Sequence, residues 1–103
     1  MASSRSYLDF ILGQLRDLDD ISYKPMMGEF IIYYRGKIVG GIYDDRFLVK
    51  DIKSARRIMP EAELALPYEG AKKMLVVDNV DYPEFLKELF NAMYDELPEP
   101  KKR

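Results

Sequence analysis

The chain has 103 residues, of which 48% are hydrophobic and 33% charged, and this length suits a single domain with one core. It contains neither cysteine nor histidine, which excludes a thiol nucleophile, a disulfide, a zinc finger and an imidazole base. With 16 basic and 18 acidic residues the formal net charge is −2, so we expect no direct nucleic-acid binding through phosphate contacts.

The chain carries the features of a cytoplasmic protein that makes no membrane contact. No apolar stretch approaches the roughly 20 residues needed to span a bilayer, and Asp9 interrupts the apolar segment near the start. The absence of cysteine agrees with this expectation. At the other end, two prolines and the basic triplet 101–103 predict a flexible basic tail over residues 98–103.

The first predicted element is a helix that ends near Leu18. Apolar residues recur at helical spacing from Leu8 onward, so they form one stripe on the helix. Ser6 and Asp9 have the spacing of a capping box, and Ser6 is therefore the expected N-cap.

An antiparallel sheet is predicted to follow this helix. Residues 21–26 form a candidate edge strand, because Pro25 lacks the N–H that a hydrogen-bond ladder requires. Three meander strands are expected next, at 29–34, 37–43 and 46–50. Arg35-Gly36 and Asp44-Asp45 supply the tight turns between them.

Both faces of the central strands are expected to be covered. The interior of the 29–34 strand is apolar on both sides, which predicts a helix over one face and a second subunit over the other. Gly40 and Gly41 in the next strand leave a patch without side chains, against which another group is expected to pack closely.

The second half of the chain is predicted to hold two helices and two strands. Residues 51–59 form a short helix that Pro60 closes, and strands follow at 62–67 and 73–77. Asp81 is the expected N-cap of a last helix. The buried stripe of that helix is predicted to comprise Leu86, Leu89, Phe90, Met93 and Leu97. The predicted order is one helix, three strands, a helix, two strands and a helix.

No catalytic constellation emerges from the sequence. The available acid–base groups are carboxylates, tyrosines and lysines, and Asp44-Asp45 is interpreted as an exposed turn rather than a carboxylate pair. Gly40-Gly41 lacks the glycine spacing of a dinucleotide-binding loop. We therefore expect a protein that is not an enzyme, with no catalytic residues, no cofactor and no metal site.

Aromatic residues on the predicted strands form the main candidate for a functional surface. They are Phe30, Tyr33, Tyr34, Tyr43 and Phe47. Aromatic residues on a sheet pack a core, form a protein–protein interface or stack nucleic-acid bases. Base stacking requires interleaved cations, and the nearby cations lie at the turns. Core packing is the leading interpretation, and the same five residues are the candidate interface.

Several short strings resemble one known family. They are residues 24–30 (KPMMGEF), 32–38 (IYYRGKI), 41–50 (GIYDDRFLVK), 67–74 (PYEGAKKM) and 95–102 (DELPEPKK). In their order and spacing they resemble the N-terminal domain of the TfoX/Sxy competence regulators, over nearly the whole chain.

The resemblance implies a two-layer α+β fold of the order α-β(3)-α-β(2)-α, with helices packed on an antiparallel sheet in a secretion-chaperone-like arrangement. Full-length members of that family activate bacterial competence genes together with the cyclic-AMP receptor protein, and they carry a second, helical domain. We therefore expect residues 1–103 to form a stand-alone TfoX N-terminal-like domain. The family has no catalytic residues to transfer.

The leading hypothesis is a non-enzymatic regulatory or adaptor domain that acts through protein–protein contacts in competence-type transcriptional regulation. We expect it to form a homodimer and to have the transcription machinery as a protein partner. One alternative is a small nucleic-acid-associated factor that uses Lys53, Arg56, Arg57 and the basic tail. The other is a ligand-binding domain whose pocket the sequence does not locate.

Overall fold

The computed structural model describes residues 3–98, which form an α+β fold with a six-stranded sheet. The helices in this part of the chain are α1 (Arg5–Gln14), α2 (Lys53–Ile58) and α3 (Pro83–Tyr94). The strands are β1 (Ile21–Met26), β2 (Glu29–Tyr34), β3 (Lys37–Tyr43), β4 (Arg46–Val49), β5 (Leu64–Ala65) and β6 (Met74–Val76). All neighbouring strands are antiparallel, in the order β1-β2-β3-β4-β6-β5. Of the predicted basic tail, residues 99–103 lie outside the described residues.

The sheet contains one strand more before α2 than the predicted order allows. The order is α-β(4)-α-β(2)-α over residues 3–98, not α-β(3)-α-β(2)-α. The additional strand is the candidate edge strand 21–26, which pairs with β2. The pairs run from Ile21 opposite Tyr34 to Met26 opposite Glu29. Its Pro25 lies at the edge of the sheet, where a missing N–H is tolerated. The prediction of an edge strand here is confirmed, but the strand count was one too low.

Three two-residue turns build the meander from β1 to β4. Their residues are Met27-Gly28, Arg35-Gly36 and Asp44-Asp45, and all six have φ between 52° and 86°. Two consecutive positive φ values match the right-handed twist of the flanking strands, which is why glycine and aspartate are favoured there. The two turns predicted from the sequence are confirmed.

Both long helices begin at residues other than the predicted caps. Ser4, not Ser6, caps α1, because the Tyr7 N–H donates to Ser4 Oγ at 3.1 Å. The Ser4 N–H itself donates to Asp45 Oδ1 at 2.7 Å, so a contact with the β3–β4 turn fixes the cap. Tyr82, not Asp81, occupies the N-cap position of α3. Within residues 3–98, no helix combines the length and the apolar character that crossing a membrane requires.

The core lies between the sheet and the helices α1 and α3. We name this side of the sheet the helix-covered face; it carries Phe30, Ile32, Tyr34, Ile42, Phe47 and Val49. The Phe90 ring of α3 lies at its centre, with centroid distances of 5.9 Å to Tyr34 and 6.0 Å to Phe47. The stripe predicted for the last helix is confirmed, since all of its members are buried: Leu86, Leu89, Phe90, Met93 and Leu97.

The opposite side of the sheet, which we name the open face, bears neither α1 nor α3. Its side chains include Met26, Ile31, Tyr33, Ile38, Tyr43 and Met74. A Cβ on Gly41 would lie 2.7 Å from the ring of Tyr43, so this ring is the group that packs on the glycine patch. The close approach expected at Gly40-Gly41 is therefore confirmed.

Candidate functional site: a groove on the open face

A groove of about 800 Å³ crosses the open face beside the 66–73 segment, which connects β5 to β6. Its floor is formed by Met26, Ile31, Ile38, Gly40 and Tyr43. Its wall is formed by Pro67, Tyr68, Ala71, Lys72 and Lys73. A largely apolar lining with a few polar groups, at this volume, is typical of binding sites.

The glycine pair and a β-bulge shape the floor of the groove. The pairing of β2 with β3 shifts between Ile32 and Tyr33, so that Tyr33 faces Ile38 while Ile32 faces Gly40. This irregularity places Ile38 on the open face, where 38% of its surface is exposed. A Cβ on Gly40 would overlap the Leu48 carbonyl oxygen, so β3 and β4 approach closely only because this residue is glycine.

Tyr43 provides a hydroxyl at the floor. The residue is 5% exposed, and its ring centroid lies 6.2 Å from that of Tyr68 in the wall. Burial is the main cause that raises the pKa of Tyr43 above its ordinary value of 10.0. The phenol is therefore protonated at neutral pH. No hydrogen bond within residues 3–98 engages this hydroxyl. It is therefore able to donate to a ligand in the groove.

Three lysines give the groove a positive charge. They are Lys50, Lys72 and Lys73, and none of them forms an ion pair within residues 3–98. Of the two carboxylates that also line the groove, Asp51 is bound by Arg56, whose Nη2 donates to Oδ2 at 2.8 Å. This hydrogen bonding lowers the pKa of Asp51. The second carboxylate, Glu96, accepts hydrogen bonds from the backbone of α2.

Glu96 caps α2 from outside that helix. Its Oε1 accepts from the Ser54 N–H at 2.8 Å and its Oε2 from the Lys53 N–H at 3.0 Å. Ile52, at the N-cap position, has no side-chain acceptor to offer. These hydrogen bonds hold the pKa of Glu96 below its ordinary value of 4.5, and the bond from Ser54 has the largest effect. The cap connects α2 to the chain beyond α3 at one end of the groove.

We expect Glu96→Gln to destabilise the protein at neutral pH and to have no effect in acid. Because the folded-state pKa is lowered, the carboxylate adds stability above pH 4.5, and this stability is lost as the pH falls through the folded-state value. Urea unfolding at neutral pH and at a pH below the folded-state pKa of Glu96 measures the difference from the wild type. Glu88→Gln, on the exposed side of α3, is the control and should change neither midpoint. Equal midpoints for the wild type and Glu96→Gln at neutral pH would contradict the cap.

The chain is similar along its whole length to a protein of Spirochaeta aurantia. It is 33% identical over 105 residues to the "Uncharacterized 12.7 kDa protein in trpE 5'region" of that organism, covering 100% of this chain and 90% of that protein. The chain belongs to the family of that 12.7 kDa protein. Because the alignment spans the whole chain, it includes the floor and the wall of the groove. No protein-family model and no solved structure matches the chain.

The five candidate interface residues lie on two different faces in this member of the 12.7 kDa protein family. Tyr33 and Tyr43 are on the open face, whereas Phe30, Tyr34 and Phe47 are on the helix-covered face. Tyr34 is 2% exposed and Phe47 is 1% exposed, so both belong to the core of this chain. Adjacent strand residues point to opposite faces, which separates Tyr33 from Tyr34. An interface role for Tyr33 and Tyr43 stays a prediction.

The wall of the groove contains the residues that reasoning from the sequence missed. Tyr68, Lys72 and Lys73 follow a two-residue strand, and no local pattern indicates that they lie against β3. The available signal was the string PYEGAKK, in which an aromatic residue and two lysines occur together where the two predicted strands are joined.

The structure also bears on two other kinds of site, a metal site and a nucleic-acid contact. Among residues 3–98, no three acidic side chains lie close enough together to hold a metal ion. Of the α2 cations that could contact nucleic acid, Arg56 is paired with Asp51, while Lys53 and Arg57 are exposed.

Proposed function

We propose that the chain is a non-enzymatic regulatory or adaptor domain that works through protein–protein contacts on its open face. The groove carries this proposal, because its floor exposes 38% of Ile38 and its wall exposes 55% of Tyr68. Neighbouring exposed apolar and aromatic side chains are characteristic of protein interaction sites. The absence of histidine and cysteine from the chain is in keeping with a non-enzymatic role.

In this proposal the domain is of the TfoX N-terminal type. The strings 24–30, 41–50 and 67–74 support the assignment by their resemblance to that family. A sheet with helices on one face is compatible with the two-layer arrangement, with β1 as one further strand. The proposed setting is competence-type transcriptional regulation in the cytoplasm. We expect the chain to form a homodimer and to have the transcription machinery as a protein partner.

Site-specific photo-crosslinking tests the proposed contact surface. With benzoylphenylalanine in place of Ile38, irradiation of the cells that make the protein should yield a discrete protein adduct. The control position is Phe10 on α1, which is 39% exposed and lies away from the groove, and there we expect no adduct. An adduct of twice the monomer mass identifies a homodimer, and any other discrete mass identifies a different partner. No adduct at position 38, or identical adducts at both positions, would overturn the proposal.

A further inference from the structure

We propose that the groove binds an extended peptide segment of a partner protein, in which acidic residues alternate with aliphatic or aromatic residues. The inference rests on the proposed function and adds the chemistry of the partner. It follows from the length and apolar character of the floor, the charge of the rim and the hydroxyl of Tyr43.

The floor suits alternate side chains of an extended segment. Met26 and Ile31 are half-buried and Ile38 is exposed, so apolar surface continues along the groove. The floor follows β3 from Ile38 to Tyr43, a distance of about 16 Å at the strand rise of roughly 3.3 Å per residue. An extended peptide of about five residues spans this length. Every second side chain of such a peptide points toward the floor.

The charges of the rim select an acidic occupant. The three lysines at the groove lack ion-pair partners within residues 3–98, while Asp51 and Glu96 are already bound by Arg56 and by the backbone of α2. Glu96 keeps its charge, so the lining has three lysines against two carboxylates, one of which is paired with Arg56, and the groove is positive on a chain whose net charge is −2. Carboxylates of the occupant complement this charge, increase the association rate and exclude basic segments.

The Tyr43 hydroxyl supplies a directional contact. The residue is 5% exposed, and its hydroxyl makes no hydrogen bond within residues 3–98 and remains accessible from the groove. An oxygen atom of the occupant can replace water as the acceptor of this hydrogen bond, which fixes the position of the peptide at the floor.

A second copy of the chain is a poorer occupant than a foreign acidic segment. A symmetric dimer through the open face places the same surface patch against itself. Two grooves that each carry an excess of positive side chains would then meet, and like charges across an interface are repulsive.

Peptide display on the full 103-residue protein tests the inference without a known partner. A phage library of random dodecapeptides, selected on the immobilised protein, should enrich acidic peptides with alternating apolar residues. The affinity of the most enriched peptide, measured by fluorescence anisotropy, should fall about tenfold or more in the Lys72→Glu/Lys73→Glu protein. Ile38→Asp should weaken binding to a similar extent. Tyr43→Phe, which keeps the ring and removes the hydroxyl, should weaken it several-fold.

Two matched controls place the binding in the groove. Lys87→Glu makes the same type of charge change on the exposed side of α3, and Phe10→Asp introduces a carboxylate on α1 at a site as exposed as Ile38. Both should leave the affinity unchanged. Enrichment of neutral or basic peptides, or equal affinities for the Lys72→Glu/Lys73→Glu and Lys87→Glu proteins, would overturn the inference.

The outcomes also separate this inference from the proposed function. If position 38 captures a second copy of the chain, or if it captures a partner while no peptide is enriched, the inference fails and the proposed function stands. If position 38 captures nothing and no peptide is enriched, both fail.

Discussion

Gly40→Ala is expected to cost about 3 kcal/mol or more of the free energy of unfolding. The added Cβ would overlap the carbonyl oxygen of Leu48 and would lie 2.6 Å from the Cα of Val49. Both are backbone atoms of β4, so the clash is relieved only if the strand moves. Urea unfolding followed by far-UV circular dichroism measures the loss.

Gly13→Ala is the control for this glycine substitution. Gly13 lies within α1, and nothing lies within 4 Å of the position that a Cβ would take. Alanine is the better helix former, so this variant should gain up to about 1 kcal/mol. If Gly40→Ala unfolded at the same urea concentration as the wild type, this result would contradict the close approach of β3 and β4.

The second large effect is expected for Phe90→Ala, which should lose about 3–5 kcal/mol. Phe90 is 0% exposed, and its ring packs against Tyr34 and Phe47 on the helix-covered face. Its truncation opens a cavity at the centre of the core. Since domains of this size have only about 5–15 kcal/mol of stability in total, the variant should unfold at a much lower urea concentration.

Phe10→Ala makes the same truncation on the exposed side of α1, where 39% of the side chain is accessible. The expected change is within about 0.5 kcal/mol. Similar losses for the two phenylalanine variants would contradict the placement of α3 on the sheet.

The meander of the sheet could be predicted from the sequence because its signals are local. Gly36 and the Asp44-Asp45 pair tolerate the positive φ values that two-residue turns require, so the turn positions follow from residue type. The strand count was too low because 21–26 contains a proline and exposed polar residues. The six residue pairs that join this strand to β2 are contacts between strands, and the composition of the segment 21–26 does not reveal them.

Contacts between distant parts of the chain explain what local patterns could not predict. Ser4 rather than Ser6 caps α1 because Asp45 binds it, 41 residues away in the sequence. Glu96 caps α2 from 42 residues beyond Ser54. The wall of the groove depends on the packing of Tyr68 against Tyr43. Capping rules and periodicity describe neighbours in the sequence, so the two caps had no signal, and the string PYEGAKK marked the residues of the wall but not their contact with Tyr43.

The faces of the aromatic residues were the hardest feature to predict. Alternation correctly separates Tyr33 from Tyr34 once the register of β2 is known. In β3 the bulge opposite Ile32 and Tyr33 changes the alternation, so that Ile38 joins Tyr43 on the open face. Since no residue type marks this bulge in advance, the open face could not be read from spacing alone.

The floor and the wall of the groove differ in how freely their lengths can change. The strands beneath the floor are joined by two-residue turns, and inserting a residue would change the turn type and the register of the sheet. The wall is an eight-residue loop between β5 and β6, and even doubling its length would cost only about 0.6 kcal/mol in closure entropy. The sheet can therefore stay the same while the length and charge of this single loop change.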